Sequence, residues 1–282
     1  MQKTESSSTG PAYRCCRAPK TLRLSAVLFA AMSALMSGCL AGGAGKCGEV
    51  RIMSYNIYHC EGADKKLDIP RTASVIAKER PDFVALQEVD NSTKRSRGFD
   101  QAGELGKALG MHSTFAKAIT FGGGEYGIAL LSKERPLSVR RIPLPGKEPR
   151  VLLLCEFADC WVGNAHLDLD PAARVESVKI IRDAVAAVAA HKAVFLAGDW
   201  NAEPDSEPLA AVRGFMKMLS PQNRRTYTGF KVHPPESVYC IDYIAVDSGH
   251  AGDFETGISY VVSDNVTSDH NPVVVSVKKS GR

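Results

Sequence analysis

Tryptophan is scarce in this 282-residue chain, with two copies, and aromatic residues reach only 7%. Trp161 and Trp200 both fall inside apolar, strand-like runs. No segment reads as an exposed aromatic hairpin of the kind that inserts into lipid. Net charge is missing as well. The chain carries +4, but Lys3, Arg14, Arg17, Lys20 and Arg23 face only Glu5 in the first 38 residues, and the remainder holds 30 basic and 30 acidic residues. Bulk charge therefore does not draw the body onto nucleic acid or anionic membrane, which leaves a local basic patch as the electrostatic route. A dense basic pocket of the kind inositol phosphates need is not evident. No Cys pair stands at close ligand spacing with a His partner, which argues against zinc. After Val50 there is no short repeat, low-complexity tract or second domain boundary, so one α/β domain is the economical reading.

What the first residues do contain is an address. A basic stretch ending in Lys20 and Arg23 precedes the apolar run "LSAVLFAAMSALM", too short to span a bilayer as a mature helix, and then "SGC". This pattern resembles a bacterial lipoprotein signal over residues 1–38. Lipid would sit on Cys39, followed by a flexible tether at 39–49 and a folded domain at 50–279; an ordinary secretory signal is the alternative. Either way an exported protein is expected, membrane-anchored through Cys39 on the lipoprotein reading, and a monomer. Without Cys15 and Cys16, and with Cys39 lipidated, five cysteines remain: Cys47, Cys60, Cys155, Cys160 and Cys240. The odd number leaves at least one without an intramolecular partner. A local Cys155–Cys160 disulfide is one pairing an oxidising compartment would allow.

Apolar runs alternate with helical patterns along the body. "VRIMSYN", "FVALQEV", "GIALLSK", "RVLLLCEF", "WVGNAHL", "AVFLAGDWN", "CIDYIAV" and "NPVVVSVK" read as strands. "PRTASVIAKER" and "QAGELGKALG" read as helices, the second stopping at Gly110. The clearest helix is "DPAARVESVKIIRDAVAAVAAH", where Asp170 caps, Pro171 suits the first turn, and Val175, Val178, Ile181, Val185 and Val188 recur at helical spacing.

Several of these strands end in groups that bind metal or phosphate. Asn56 closes the first, Glu88 the second, His166 follows "WVGNA", Asp199 and Asn201 close "AVFLAGDWN", and "SDH" at Ser268 to His270 precedes the last. Alternation along an extended segment aims Asp199 and Asn201 the same way, with Trp200 opposite and Gly198 admitting a close backbone approach. A carboxylate and an amide aimed at one point can orient a water and a developing oxyanion. Asp242 lies inside the apolar "CIDYIAV", where an unpaired carboxylate is costly, so a partner is expected and His270 is the obvious one.

The ordered series "MSYNI", "ALQEVD", "GNAHLD", "GDWNAEPDS", "IDYI" and "SDHNPV" resembles the endonuclease/exonuclease/phosphatase superfamily, which includes DNase I-like nucleases, inositol-polyphosphate phosphatases and bacterial sphingomyelinases. The resemblance implies a four-layer α/β/β/α sandwich, two packed mixed β-sheets with outer helices. It implies a metal-dependent phosphoesterase using Mg²⁺, with Mn²⁺ as the alternative, and direct attack of water. Glu88 would be the principal metal ligand, assisted by Asn56 and Asp269. Asp199 would orient or deprotonate the water, and Asn201 would hold the transition-state oxygen. His166 and His270 would contact phosphate oxygens, with Asp242 holding His270, and Tyr126 would touch the phosphate or pack in the core.

A phosphodiesterase or nuclease is the favoured activity. The loop "NRRTYTGFKVHPP" mixes Arg224, Arg225 and Lys231 with Tyr227 and Phe230, as nucleic-acid contacts do; a Pro-terminated surface loop is the plainer reading of the same residues. Phospholipid, sugar-phosphate and inositol-phosphate esters are the alternative substrates. A catalytically silent surface lipoprotein used for binding is the rival from another class.

Overall fold

The alternating burial of the apolar runs builds three separate cores. The computed structural model describes residues 48–234 and 237–281. The expected signal segment, Cys39, Cys47 and most of the tether lie outside these. Strands β1 (Val50–Asn56), β2 (Phe83–Asn91), β3 (His112–Phe121), β4 (Gly124–Ser132), β11 (Phe254–Val261) and β12 (Val273–Lys279) form a first sheet in the order β11-β12-β1-β2-β4-β3. Strands β5 (Ser138–Leu144), β6 (Arg150–Glu156), β7 (Cys160–His166), β8 (Ala193–Asp199), β9 (Met216–Met218) and β10 (Asp242–Asp247) form a second, ordered β5-β6-β7-β8-β10-β9.

Period-two alternation assigns each strand residue to a layer. Ile52, Ala85, Leu130, Leu153, Phe195 and Ile244 point between the sheets and make the central core. Their neighbours Met53, Val84 and Leu86 face away and meet Ile76 and Leu105, from helices α1 (Ile69–Glu79) and α2 (Gln101–Leu109). On the other side Leu152, Leu154 and Leu196 meet Val178, Ile181 and Leu209, from α3 (Pro171–Ala186) and α4 (Glu207–Arg213). The result is the expected α/β/β/α sandwich, because strands in the middle layers are apolar on both faces.

Local chemistry sets the helix ends. The Asp170 side chain accepts the N–H groups of Ala172 and Ala173, with Pro171 in the first turn of α3. Gly110 ends α2 at φ 66°. The α3 pattern continues past the helix, which stops at Ala186, and Val175 is only half-buried. Cys60, Cys155, Cys160 and Cys240 are free and buried. No Cys155–Cys160 disulfide forms: the N–H of Phe157 bonds the carbonyl of Cys160, closing the turn with Phe157 rather than Cys155 opposite Cys160. Burial pushes both thiols up to about 12. Among the described residues no helix is long and apolar enough to cross a membrane.

Each sheet contains one parallel pair, β1 with β2 and β7 with β8. Parallel partners end on the same side, and each pair is flanked by an antiparallel strand that begins there, β12 and β10. This shared edge gathers the polar strand ends.

Candidate active site

Register places His166, Asp199 and Asp242 in one row across three neighbouring strands: His166 pairs with Asp199, and Asp199 with Asp242. Gly198 makes this row close. A Cβ there would stand 1.9 Å from the carbonyl oxygen of Ala165, a distance no side chain tolerates. Strand β8 ends at Asp199, so simple alternation does not carry on to Asn201. Asn201 instead adopts a left-handed φ of 47° and turns back. Its N–H donates to Asp199 Oδ1 at 3.0 Å and its Nδ2 to the carbonyl of Leu167 at 2.9 Å. Trp200 between them is buried in the outer core, as alternation requires.

In the first sheet the device is a β-bulge. The pairing of β2 with β4 shifts register between Leu86 and Val89, and Glu88 sits inside that irregularity at φ 57°, uncommon for a residue other than glycine. The carbonyls of Leu86 and Ala129 beside the bulge accept hydrogen bonds from Asn164 Nδ2 of the second sheet, at 2.8 and 2.9 Å. Gln87 Nε2 reaches Asn164 Oδ1 at 2.7 Å. This polar bolt between the sheets, buried beneath the site, supports the bulge that turns Glu88 toward the cavity.

Asn56 joins the two halves. Its Nδ2 lies 3.0 Å from Glu88 Oε1 and 3.0 Å from Asp199 Oδ2, while its Oδ1 accepts the N–H of Tyr58 at 3.1 Å. The amide nitrogen, rather than the oxygen, therefore faces the carboxylates. Asp199 Oδ2 is a hub, with His166 Nε2 and His270 Nε2 each 3.6 Å away. His270 Nδ1 stands 2.9 Å from Asp242 Oδ2, the pairing expected for a carboxylate buried in an apolar strand. The loop before β12 is pinned by Ser268, whose Oγ donates to the Asn56 carbonyl at 2.7 Å and accepts the His270 N–H at 3.2 Å.

Burial and crowding set the charges. Desolvation, reinforced by the neighbouring Asp242 carboxylate, pushes Asp199 up to about 7. His270 moves the other way: burial alone would lower it, but Asp242 and Asp199 hold its proton and raise it to about 10. Burial, with Arg150 and His270 nearby, keeps His166 well below its usual range and neutral. Glu88 is raised by burial and by the Asp269 charge.

A cavity of about 270 Å³ opens over this edge. Of the nine expected residues, Glu88, His166, Asp199, Asn201, Asp269 and His270 line it. Asn56 and Asp242 lie just behind, tied in by the bonds above. Tyr126, 8% exposed, is not in the lining; it packs beneath Arg95, near enough to the Glu88 and Arg150 charges to feel both. Arg150 does line the cavity and was missed. It is 8% exposed, with Nη1 2.7 Å from Glu148 and 3.3 Å from His166 Nδ1. An arginine opening the otherwise apolar "RVLLLCEF" was the available signal. Asp199, Asp242 and His270 could together offer ligand atoms lying within 4.8 Å of one another.

Residues 53–270 match the model of the endonuclease/exonuclease/phosphatase family. The chain belongs to this family. Solved structures with the same fold include an endonuclease/exonuclease/phosphatase from Beutenbergia cavernae at 23% identity, covering 83% of this chain and 72% of that one, TM-score 0.67. A mannosyl-6-phosphatase from Bacteroides thetaiotaomicron is 18% identical over 81% of this chain and 99% of its own, TM-score 0.61. D. rerio TDP2 complexed with a single-strand DNA product is 17% identical over 82% and 99%, TM-score 0.63. No curated protein matches. The family is one of hydrolases acting on phosphoester bonds, and the mannosyl-6-phosphatase is one by name.

Proposed function

We propose that this family member is a Mg²⁺-dependent phosphoester hydrolase that works by direct attack of water and prefers a phosphodiester. One observation carries the reading: Asp199, raised and central, shares Asn56 with Glu88 while two histidines face its Oδ2. The donor set suits a hard divalent cation. Glu88 and Asp269 are half-buried oxygen donors whose charges raise each other's cost, a repulsion that a cation relieves. The group Asp199, Asp242 and His270 is a poorer cradle, because Asp242 and His270 are spent on each other at 2.9 Å and His270 is itself charged. Bound at Glu88 and Asp269, Mg²⁺ supplies charge stabilisation at the phosphoryl oxygens and leaving group.

The remaining work falls to side chains. Asp199, whose Oδ1 is fixed by the Asn201 N–H, accepts a proton from the attacking water. His270, kept protonated by Asp242, donates through Nε2 to a phosphoryl oxygen. Neutral His166 donates through Nε2 because Arg150 faces its Nδ1. The diester preference rests on a modest cation supply: among the described residues Arg150 and the protonated His270 are the cations of the lining, which suits the single charge of a diester better than a monoester's −1.5 to −2. Nitrophenol release from bis(p-nitrophenyl) phosphate, compared with p-nitrophenyl phosphate, tests both parts. Release that is faster from the diester and abolished by chelator is expected; none from either ester in Mg²⁺ would leave the silent binding scaffold standing.

Anchoring through lipid on Cys39 completes the proposal, supported by the run "LSAVLFAAMSALM" before it. Cys39→Ser is expected to move the protein from the membrane to the soluble extracytoplasmic fraction. A wild type already soluble would reject the anchor.

A further inference from the structure

Arg150 brings a positive charge to the cavity, and that charge is already in use. The buried guanidinium has Nη1 2.7 Å from Glu148 Oε1. The contact is close but not aligned: Glu148 Oε1 and Arg150 Nε are both buried without a hydrogen-bond partner among the described residues. A second cavity, of about 350 Å³, shares Arg150 and Leu169 with the first and is lined further by Glu148, Asp168 and Asp170. Arg150 therefore stands between the central cavity and an acidic hollow beside it.

The chain is shaped to put Glu148 there. The turn at 145–149 joins β5 to β6, where Leu144 pairs with Arg150. Proline stands at both ends of it, and Pro149 keeps the preceding Glu148 out of the helical region. Asp168 is a buried carboxylate with no part in the reaction above. Its Oδ2 accepts the N–H of Glu148 at 3.1 Å and its Oδ1 the N–H of Asp170 at 2.8 Å, which ties the turn to the segment leading into α3. Gly146 lets the turn close on this carboxylate: a Cβ there would stand 2.6 Å from Asp168 Oδ2 and 2.5 Å from the Glu148 carbonyl oxygen. Lys147 is exposed and points to Asp170 Oδ2 at 3.4 Å, so Glu148 is left to Arg150.

From this geometry we infer that Glu148 selects substrates by charge: it occupies Arg150 in the free site and repels the second negative charge of a phosphate monoester, favouring a diester. The inference rests on the phosphoesterase reading and names the residue behind its diester preference. A phosphoryl group offers the guanidinium two oxygens in the fork geometry that Glu148 fails to match, so it can displace the carboxylate. The Glu148 side chain is partly exposed and has room to swing aside, but its pinned backbone keeps it close to the phosphoryl oxygens. Like charges at such range oppose each other in proportion to the charge brought in. A diester brings one negative charge, a monoester up to about two. Glu148 thus acts through Arg150 and through its own field, without taking part in bond making.

The test is equilibrium binding in chelator, which halts metal-dependent turnover, with phenyl phosphate and diphenyl phosphate as probes at about pH 8, where the monoester is a dianion. The quantity read is the ratio of their affinities; comparing it between variants cancels the difference in ligand size. Glu148→Gln keeps the shape and removes the charge. It is expected to raise the affinity of phenyl phosphate relative to diphenyl phosphate about tenfold, the scale of one charge contact near a protein surface. Glu148→Lys should raise the ratio further. A ratio unmoved by both variants would overturn the inference, and so would a rise with glutamine that lysine reverses, which marks lost packing rather than charge. If the ratio stays fixed while the wild type releases nitrophenol from the diester in Mg²⁺, this inference alone fails. If the ratio moves and neither ester gives metal-dependent release, the inference stands and the hydrolase reading alone fails.

Discussion

Glu88 and Asp269 stand half-buried on the first-sheet side of the cavity, whereas Asp199 and Asp242 in the second sheet are each 1% exposed. All four are acidic and share one edge of the sandwich, yet they are held in different ways. Glu88 shares Asn56 with the second sheet and faces the open cavity, and among the described residues it makes no direct ion pair, which suits the cation proposed for it. Asp242 is closed against His270 at 2.9 Å, and Asp199 lies among two imidazoles and an amide, so both carboxylates already have partners inside the protein, as the proton-transfer role proposed for Asp199 would need. On the proposed function, the contrast would separate metal binding from acid–base work by the degree of burial and by what stands beside each carboxylate.

The largest expected effect comes from the sealed half. Asp199→Asn should lower kcat by about a thousandfold, the middle of the range for a general base, with Mg²⁺ binding measured by calorimetry largely kept. If metal binding collapses together with kcat, the division between the halves is wrong. Glu88→Gln should act in the opposite sense, cutting activity by about a hundredfold and weakening its dependence on added Mg²⁺. Full activity of either protein in chelator would break the comparison outright.

A smaller effect sharpens it. His270→Ala should lower kcat strongly, and Asp242→Asn should lower it by about tenfold, mostly on the alkaline side, because the imidazole then loses its proton at lower pH. Added to His270→Ala, Asp242→Asn should cost little, since the two act as a unit. Multiplicative losses in the pH–rate profiles of the four forms would separate them. The smallest effect is on stability in chelator. His270 is raised when folded, so its contribution is complete below its ordinary 6.5 and lost as pH rises toward about 10. Tm should therefore fall more steeply across that window in wild type than in His270→Gln, and parallel curves would deny the charged imidazole.

The eight apolar runs of the sequence all became strands, and the four strands it did not announce, β3, β5, β9 and β11, are the four sheet edges. Central strands are buried on both faces and must be apolar throughout. Edge strands such as β11, exposed over much of its length, need not be, and β9 has only three residues. The site divides along a similar line. Asp199, Asp242 and His270 were legible because a carboxylate inside an apolar run demands a partner, and Gly198 because a close approach demands a missing Cβ. Arg150 had one signal, its place at the start of an apolar strand, but that is also where an ordinary charged terminus stands, so the sequence alone does not separate the two. Tyr126 is buried next to the lining, beside Arg95, in keeping with the core-packing alternative, whereas Arg225 turns into its own loop, which no spacing foretells.

By itself the sequence determined the residue types at the strand ends, the helix caps, and the pattern that makes two sheets share a core, because these depend on neighbours along the chain. Only the tertiary structure decided that His166, Asp199 and Asp242 form a row, and that a bulge braced by Asn164 from the opposite sheet turns Glu88 toward the cavity. Those depend on register and on packing between sheets, where contacts join residues tens of positions apart and, for Asn56 and Asp199, 143 apart.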